Sequence, residues 1–89
     1  MKKSTSFTDE ALEEYMEWLK DDRKKFKKIH ELIKSIKKDG LLGGIGKPEK
    51  LRWMEGYSRE IDKGNRLTYR INENKVLEIL SCKGHYDDK

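Results

Sequence analysis

Arg66 to Cys82 reads RLTYRINENKVLEILSC, and its two halves change character around a polar centre. Leu67, Tyr69 and Ile71 alternate with Arg66, Thr68 and Arg70, the period of a strand with one buried face. Val76 to Cys82 is apolar at most positions, as in a central strand, and Asn72-Glu73-Asn74-Lys75 supplies the turn. With Asn74 at the centre of the hairpin, Leu67, Tyr69 and Ile71 share a face with Leu77, Ile79 and Ser81. Arg70 then stands opposite Glu78, and Arg66 opposite Cys82. His85 follows Cys82 by three residues, so this register brings Arg66 and His85 out at the same end of the sheet.

Upstream, Tyr57, Arg59 and Ile61 alternate with Ser58 and Glu60, and Leu51 to Met54 forms a candidate short strand. Gly40, Gly43, Gly44 and Gly46, closing with Lys47-Pro48, make a loop that ends the helical part of the chain. Two helices precede it. Thr8 to Leu19 has a capping threonine, Asp9 and Glu10 in its first turn, and Leu12, Tyr15, Met16 and Leu19 on one face. Arg23 to Lys38 places Phe26, Ile29, Ile33 and Ile36 on a stripe and ends at Gly40. Asp21-Asp22 between them predicts a tight helical hairpin. Helices followed by strands argue for an α+β domain and leave no recognition helix for a DNA-binding helix-turn-helix protein.

The 89 residues predict one domain, 1–89, with residues 1–6 and 87–89 as candidate flexible ends. Hydrophobic residues make up 34% and charged residues 43%, so the core must be thin. Cys82 is the only cysteine, which rules out an internal disulfide and any multi-cysteine metal site. A reducing, cytoplasmic home is the expectation, and no apolar run approaches the length of a membrane span. Residues 1–22 carry three Lys against seven Asp or Glu, whereas residues 23–38 carry eight Lys or Arg against Glu31 alone. Lys24, Lys27 and Lys28 within that block are candidate contacts for nucleic-acid phosphates.

Several short strings in fixed order resemble the YoeB/Txe toxins, relatives of the RelE and ParE groups. They are FTDEALEEYMEW (7–18), KIHELIK (28–34), GKPEKL (46–51), GYSREI (56–61), NRLTY (65–69), and the terminal Cys82-Lys83-Gly84-His85-Tyr86. The resemblance is collinear over about residues 7–86. It implies a microbial-ribonuclease-like α+β fold, with two N-terminal helices packed on a twisted antiparallel sheet. It also implies the toxin of a type II toxin-antitoxin system that cleaves messenger RNA in the ribosomal A site and is restrained by a YefM/Phd-type antitoxin. Ribosome and messenger RNA are the further partners, and the oligomeric state stays open between monomer and homodimer.

By motif, the resemblance makes Glu49, Arg66 and His85 catalytic; Lys47, Arg59 and Tyr86 are candidate contacts for the substrate phosphate. Transesterification suits these side chains, since the neighbouring 2′-hydroxyl of the RNA is the nucleophile. A base must take its proton (Glu49), an acid must protonate the leaving 5′-oxygen (His85), and a cation must stabilise the phosphate oxygens (Arg66). No metal or other cofactor is expected. The competing reading is a non-catalytic basic module that binds nucleic acid or an antitoxin, which gives no reason to hold that triplet together. Three departures from the family pattern stand out: Asp87-Asp88-Lys89 after His85-Tyr86, Glu60 where some relatives carry an arginine, and weak apolar alternation in Lys2 to Ser6. With Glu60 in that place, Arg59 becomes the expected auxiliary cation.

Overall fold

The computed structural model describes Ser4 to Gly84. Thr8 turns the chain out of β1 (Thr5–Phe7) and caps α1 (Asp9–Asp21). Its hydroxyl accepts from the Ala11 N–H at 3.1 Å and donates to the Leu80 carbonyl at 3.1 Å. One threonine thus satisfies a helix end and ties it to the far end of the chain. Asp22 closes α1 and opens α2 (Arg23–Asp39), its carboxylate accepting from the N–H groups of Lys24 and Lys25. The helices fold back on each other, with Tyr15 packed against Phe26 and hydrogen-bonded to His30. Gly40, at φ +95°, ends α2 with its N–H on the Ile36 carbonyl.

Four further strands follow: β2 (Glu49–Lys50), β3 (Tyr57–Asp62), β4 (Asn65–Ile71) and β5 (Leu77–Ser81). Spatial order is β1-β5-β4-β3-β2, antiparallel throughout except that β1 runs parallel to β5. The expected antiparallel sheet is therefore a mixed one. Thr5 and Ser6, expected to be flexible, pair with Leu77 and Glu78. The short strand expected at Leu51 to Met54 lies earlier, at Glu49–Lys50, and residues 52–55 form the bend that carries the chain into β3.

Alternation sends Ile61, Leu67, Tyr69, Leu77 and Ile79 into the helices, where Ile29, Leu32 and Ile36 of α2 meet them. On α1 the apolar stripe read from the sequence is displaced by about one residue. Ala11 and Trp18 are buried, while Leu12 and Met16 are 48% and 50% exposed. The reason lies on β5's far end: Cys82 donates its N–H to Glu14 Oε1 at 2.7 Å and accepts at its carbonyl from Trp18 Nε1 at 2.8 Å. Those two bonds rotate Glu14 and Trp18 inward, since an unsatisfied buried backbone group costs about 1–3 kcal/mol. Among the described residues no helix is long and apolar enough to cross a membrane.

The β4–β5 hairpin keeps the expected register beside its turn, with Tyr69 opposite Ile79, Arg70 opposite Glu78 and Ile71 opposite Leu77. It slips by one residue between Thr68 and Tyr69, so that Thr68 faces Ser81. Arg66 therefore does not stand opposite Cys82; its N–H reaches the Gly84 carbonyl at 3.0 Å. A bulge of this kind re-aims the strand end.

Candidate active site

On the sheet face turned away from the helices, paired residues form a row across four strands: Glu49 opposite Ser58, Ser58 opposite Thr68, Thr68 opposite Ser81. Arg66, whose cross-strand neighbour is Glu60, stands one pair further along β4. Its guanidinium is nearly buried and held on three acceptors. Nε donates to Ser58 Oγ at 2.8 Å, and Nη2 donates to the carbonyls of Ser58 at 3.2 Å and Lys47 at 3.1 Å. Glu49 Oε1 lies 3.8 Å from Nη2. That distance exceeds hydrogen-bond length, so charge rather than a bond keeps the carboxylate there. Glu49 is the exposed member and Arg66 the fixed one, at 57% against 9% side-chain exposure.

Lys47 reaches this group through an unusual backbone. Its φ of +51° is left-handed, which costs a side-chain-bearing residue roughly 1–2 kcal/mol. The strained turn aims its carbonyl at Arg66 and its ammonium at Glu60, 3.3 Å from Oε1. Lys47, Glu49, Glu60 and Arg66 thus gather in one groove, two cations and two carboxylates.

Arg59 is not part of it. The expectation that it supplies an auxiliary phosphate-binding cation is corrected by its burial at 0% exposure on the helical face of β3. Nε donates to Tyr69 Oη at 2.9 Å, Nη1 to Ser35 Oγ at 3.0 Å and the Ile45 carbonyl at 2.8 Å, and Nη2 to the Gly40 carbonyl at 2.7 Å. The Tyr69 ring and the C-terminal dipole of α2 offset its charge. Its work is to pin the glycine-rich loop, which then delivers Lys47 and Glu49. Strand alternation carried the signal, since Arg59 sits in the apolar phase of Tyr57 and Ile61.

The side chain that sequence reasoning passed over is Ser58, which orients Arg66 twice; its pairing with Glu49 depends on a strand too short to read. Lys24, Lys27 and Lys28 lie on α2, in the layer across the sheet from the groove. Lys24 and Lys27 are exposed and Lys28 half-buried. His85 and Tyr86 lie outside the described residues. The chain leading to them is firmly placed: Gly84 N–H donates to Asn65 Oδ1 at 2.9 Å, and Lys83 Nζ pairs with Glu17 at 2.7 Å over the Trp18 ring. Glu17 raises the Lys83 pKa. Burial raises that of Glu14, with its bond to Cys82 N–H opposing. Among the described residues, no group of three or more His, Cys, Asp or Glu side chains converges as a metal ligand set.

The fold is shared with small α+β toxins of solved structure. The chain superimposes on the YoeB–YefM complex from Staphylococcus aureus with a TM-score of 0.85 and 42% identity, covering 97% of this chain and 100% of that one. Against the YoeB dimer from the same organism the TM-score is 0.86 with 45% identity, over 93% and 97% of the two chains. The toxin YoeB of Mycobacterium bovis is 41% identical over 86 residues, 94% of this chain and 99% of that protein. The family model for the YoeB-like toxin of bacterial type II toxin-antitoxin systems matches residues 7–86, and the chain belongs to that family.

Proposed function

We propose that this toxin is an endoribonuclease that cuts messenger RNA in the ribosomal A site by metal-independent transesterification. The observation that carries the reading is the Glu49–Arg66 pair, an exposed carboxylate 3.8 Å from a guanidinium that three acceptors hold still. Glu49 takes the 2′-hydroxyl proton, and Arg66 stabilises the charge that develops on the phosphate oxygens. Lys47 adds a second cation at the groove mouth. His85 protonates the departing 5′-oxygen and Tyr86 contacts the phosphate; both roles rest on the family motif. The partner that restrains it is a YefM-type antitoxin, as the S. aureus YoeB–YefM complex suggests, and the YoeB dimer suggests self-association as well. The toxin and its partners act in the cytoplasm.

The test is primer extension on messenger RNA in a purified translation system. Glu49→Gln and His85→Gln should each lower cleavage by ~10²–10⁴. Arg66→Ala should cost as much or more. These losses should be the same when the toxin is pretreated with EDTA and only the ribosome's magnesium is restored. Cleavage by Glu49→Gln and Arg66→Ala at the parental rate would sink the reading.

A further inference from the structure

Glu60 has no part in the chemistry just described, yet its ion pair with Lys47 lies beside Arg66, the proposed phosphate clamp. Lys47 Nζ lies 3.3 Å from Glu60 Oε1, with side-chain exposures of 83% and 29%. The lysine is solvated and displaceable, whereas the carboxylate is set into the sheet as the cross-strand neighbour of Arg66. A phosphate that docks on Arg66 therefore meets a fixed negative charge about one strand spacing away. It also meets a second cation already engaged. Among the described residues, Lys47 and Arg66 are balanced by Glu49 and Glu60. A site with two cations and one carboxylate would hold RNA far better.

We infer that Glu60 sets the affinity of this site for RNA: it holds Lys47 and repels phosphate, so that free single-stranded RNA binds weakly. The groove fills when contacts elsewhere on a larger RNA-bearing particle bring the strand in. Lys47 is then released from Glu60 to the incoming phosphate. Its left-handed backbone already places the ammonium at the mouth of the groove, so only side-chain torsions need change. The inference rests on the RNA-cleaving reading above.

The experiment measures binding of a fluorescein-labelled single-stranded RNA, 2′-O-methylated at every nucleotide so that it cannot be cut, by anisotropy across a salt series. Glu60→Gln should tighten binding about tenfold at low salt, the scale of one unit charge at that separation in a partly solvated groove. Freeing Lys47 lets one more phosphate be neutralised, so the slope of log affinity against log salt should steepen by roughly 0.7. Lys47→Met in the Glu60→Gln background should abolish the steepening, and Glu60→Asp should keep parental affinity. A purely structural role for Glu60 leaves the slope unchanged. Unchanged or weaker binding by a folded Glu60→Gln variant overturns the inference. In parallel, the parent is assayed by primer extension on ribosomes. If the parent cuts there and Glu60→Gln does not gain affinity, the inference fails alone; if the parent does not cut, the ribonuclease reading fails with it.

Discussion

Arg59 and Arg66, seven residues apart, show how strand parity assigns opposite fates to one side-chain type. Arg59 faces the helices with its N–H groups on hydroxyls and carbonyls, and Arg66 faces the groove beside a carboxylate. Arg59→Lys keeps the charge but loses the fork that spans Tyr69, Ser35, Ile45 and Gly40. Two or more acceptors left unsatisfied should cost about 2–4 kcal/mol, and a thermal melt should show Tm lower by roughly 10 °C or more. A melt within a few degrees of the parent would show that the loop does not depend on Arg59. Cys82 titrates under the same roof. Burial first, then the carboxylates of Glu14 and Glu17, push its thiol from an ordinary 9.0 to about 12. The folded-state value is the raised one, so this contribution to stability is complete below about pH 9 and is lost as pH climbs through about 12. Denaturant midpoints measured from about pH 8 to 11 should fall less steeply for Cys82→Ala than for the parent. Parallel curves would mean that the thiol ionises freely in the folded chain.

Elements whose signals are local were legible in the sequence. Thr8 and Asp22 cap as side-chain chemistry demands, the strand period placed β3 to β5, and Asn72 closes its turn by accepting from Asn74 and Val76 N–H groups. What local pattern could not show was set by distant partners. The inward face of α1 follows Cys82, the bulge at Thr68 has no composition signature, and β2 exists only because Glu49 finds Ser58. Of the candidate site, Glu49, Arg66 and Lys47 lie together on one face of the sheet, and Arg59 is buried on the other. The element that joins fold to site is the loop from Gly40 to Pro48. Gly46 has φ +90°, and a Cβ there would lie 2.6 Å from Leu32 Cδ2 and 3.1 Å from Arg59 Cβ. Its carbonyl also accepts from Glu60 N–H at 2.6 Å, so it cannot move without dragging β3. Gly46→Ala should therefore cost about 2–4 kcal/mol in strain and overpacking. Lys47 and Glu49 should be displaced together, so cleavage in the primer-extension assay should fall even where the chain stays folded. A variant with parental Tm and parental cleavage would refute this account of the loop.

At the scale of the whole molecule, charge is segregated by layer: the helix α2 carries the basic block, and the groove lies across the sheet from it. The N-terminal turn of α2 holds Arg23, Lys24 and Lys25 and no acidic residue. Cations at a helix N-terminus oppose its dipole, and here the Asp22 carboxylate at the cap and the Lys25–Asp62 ion pair offset them. The use proposed for this block is contact with ribosomal phosphates, because a docking surface remote from the groove would bring RNA to a site proposed to hold it weakly. Reversing Lys24, Lys27 and Lys28 to Glu separates the two effects. A carboxylate at the second position of the helix favours the dipole, whereas Lys27→Glu sets a like charge four residues before Glu31, so a thermal melt of the triple variant accompanies the binding measurement to separate folding from contact. Ribosome association, measured by co-sedimentation over a potassium series, should weaken, and its log–log salt dependence should flatten by about 0.7–0.9 for each phosphate no longer neutralised. Cleavage at saturating ribosome concentration should persist, since Glu49 and Arg66 are untouched. A folded triple variant whose salt slope equals the parent's would return these lysines to the role of a solvated helix face.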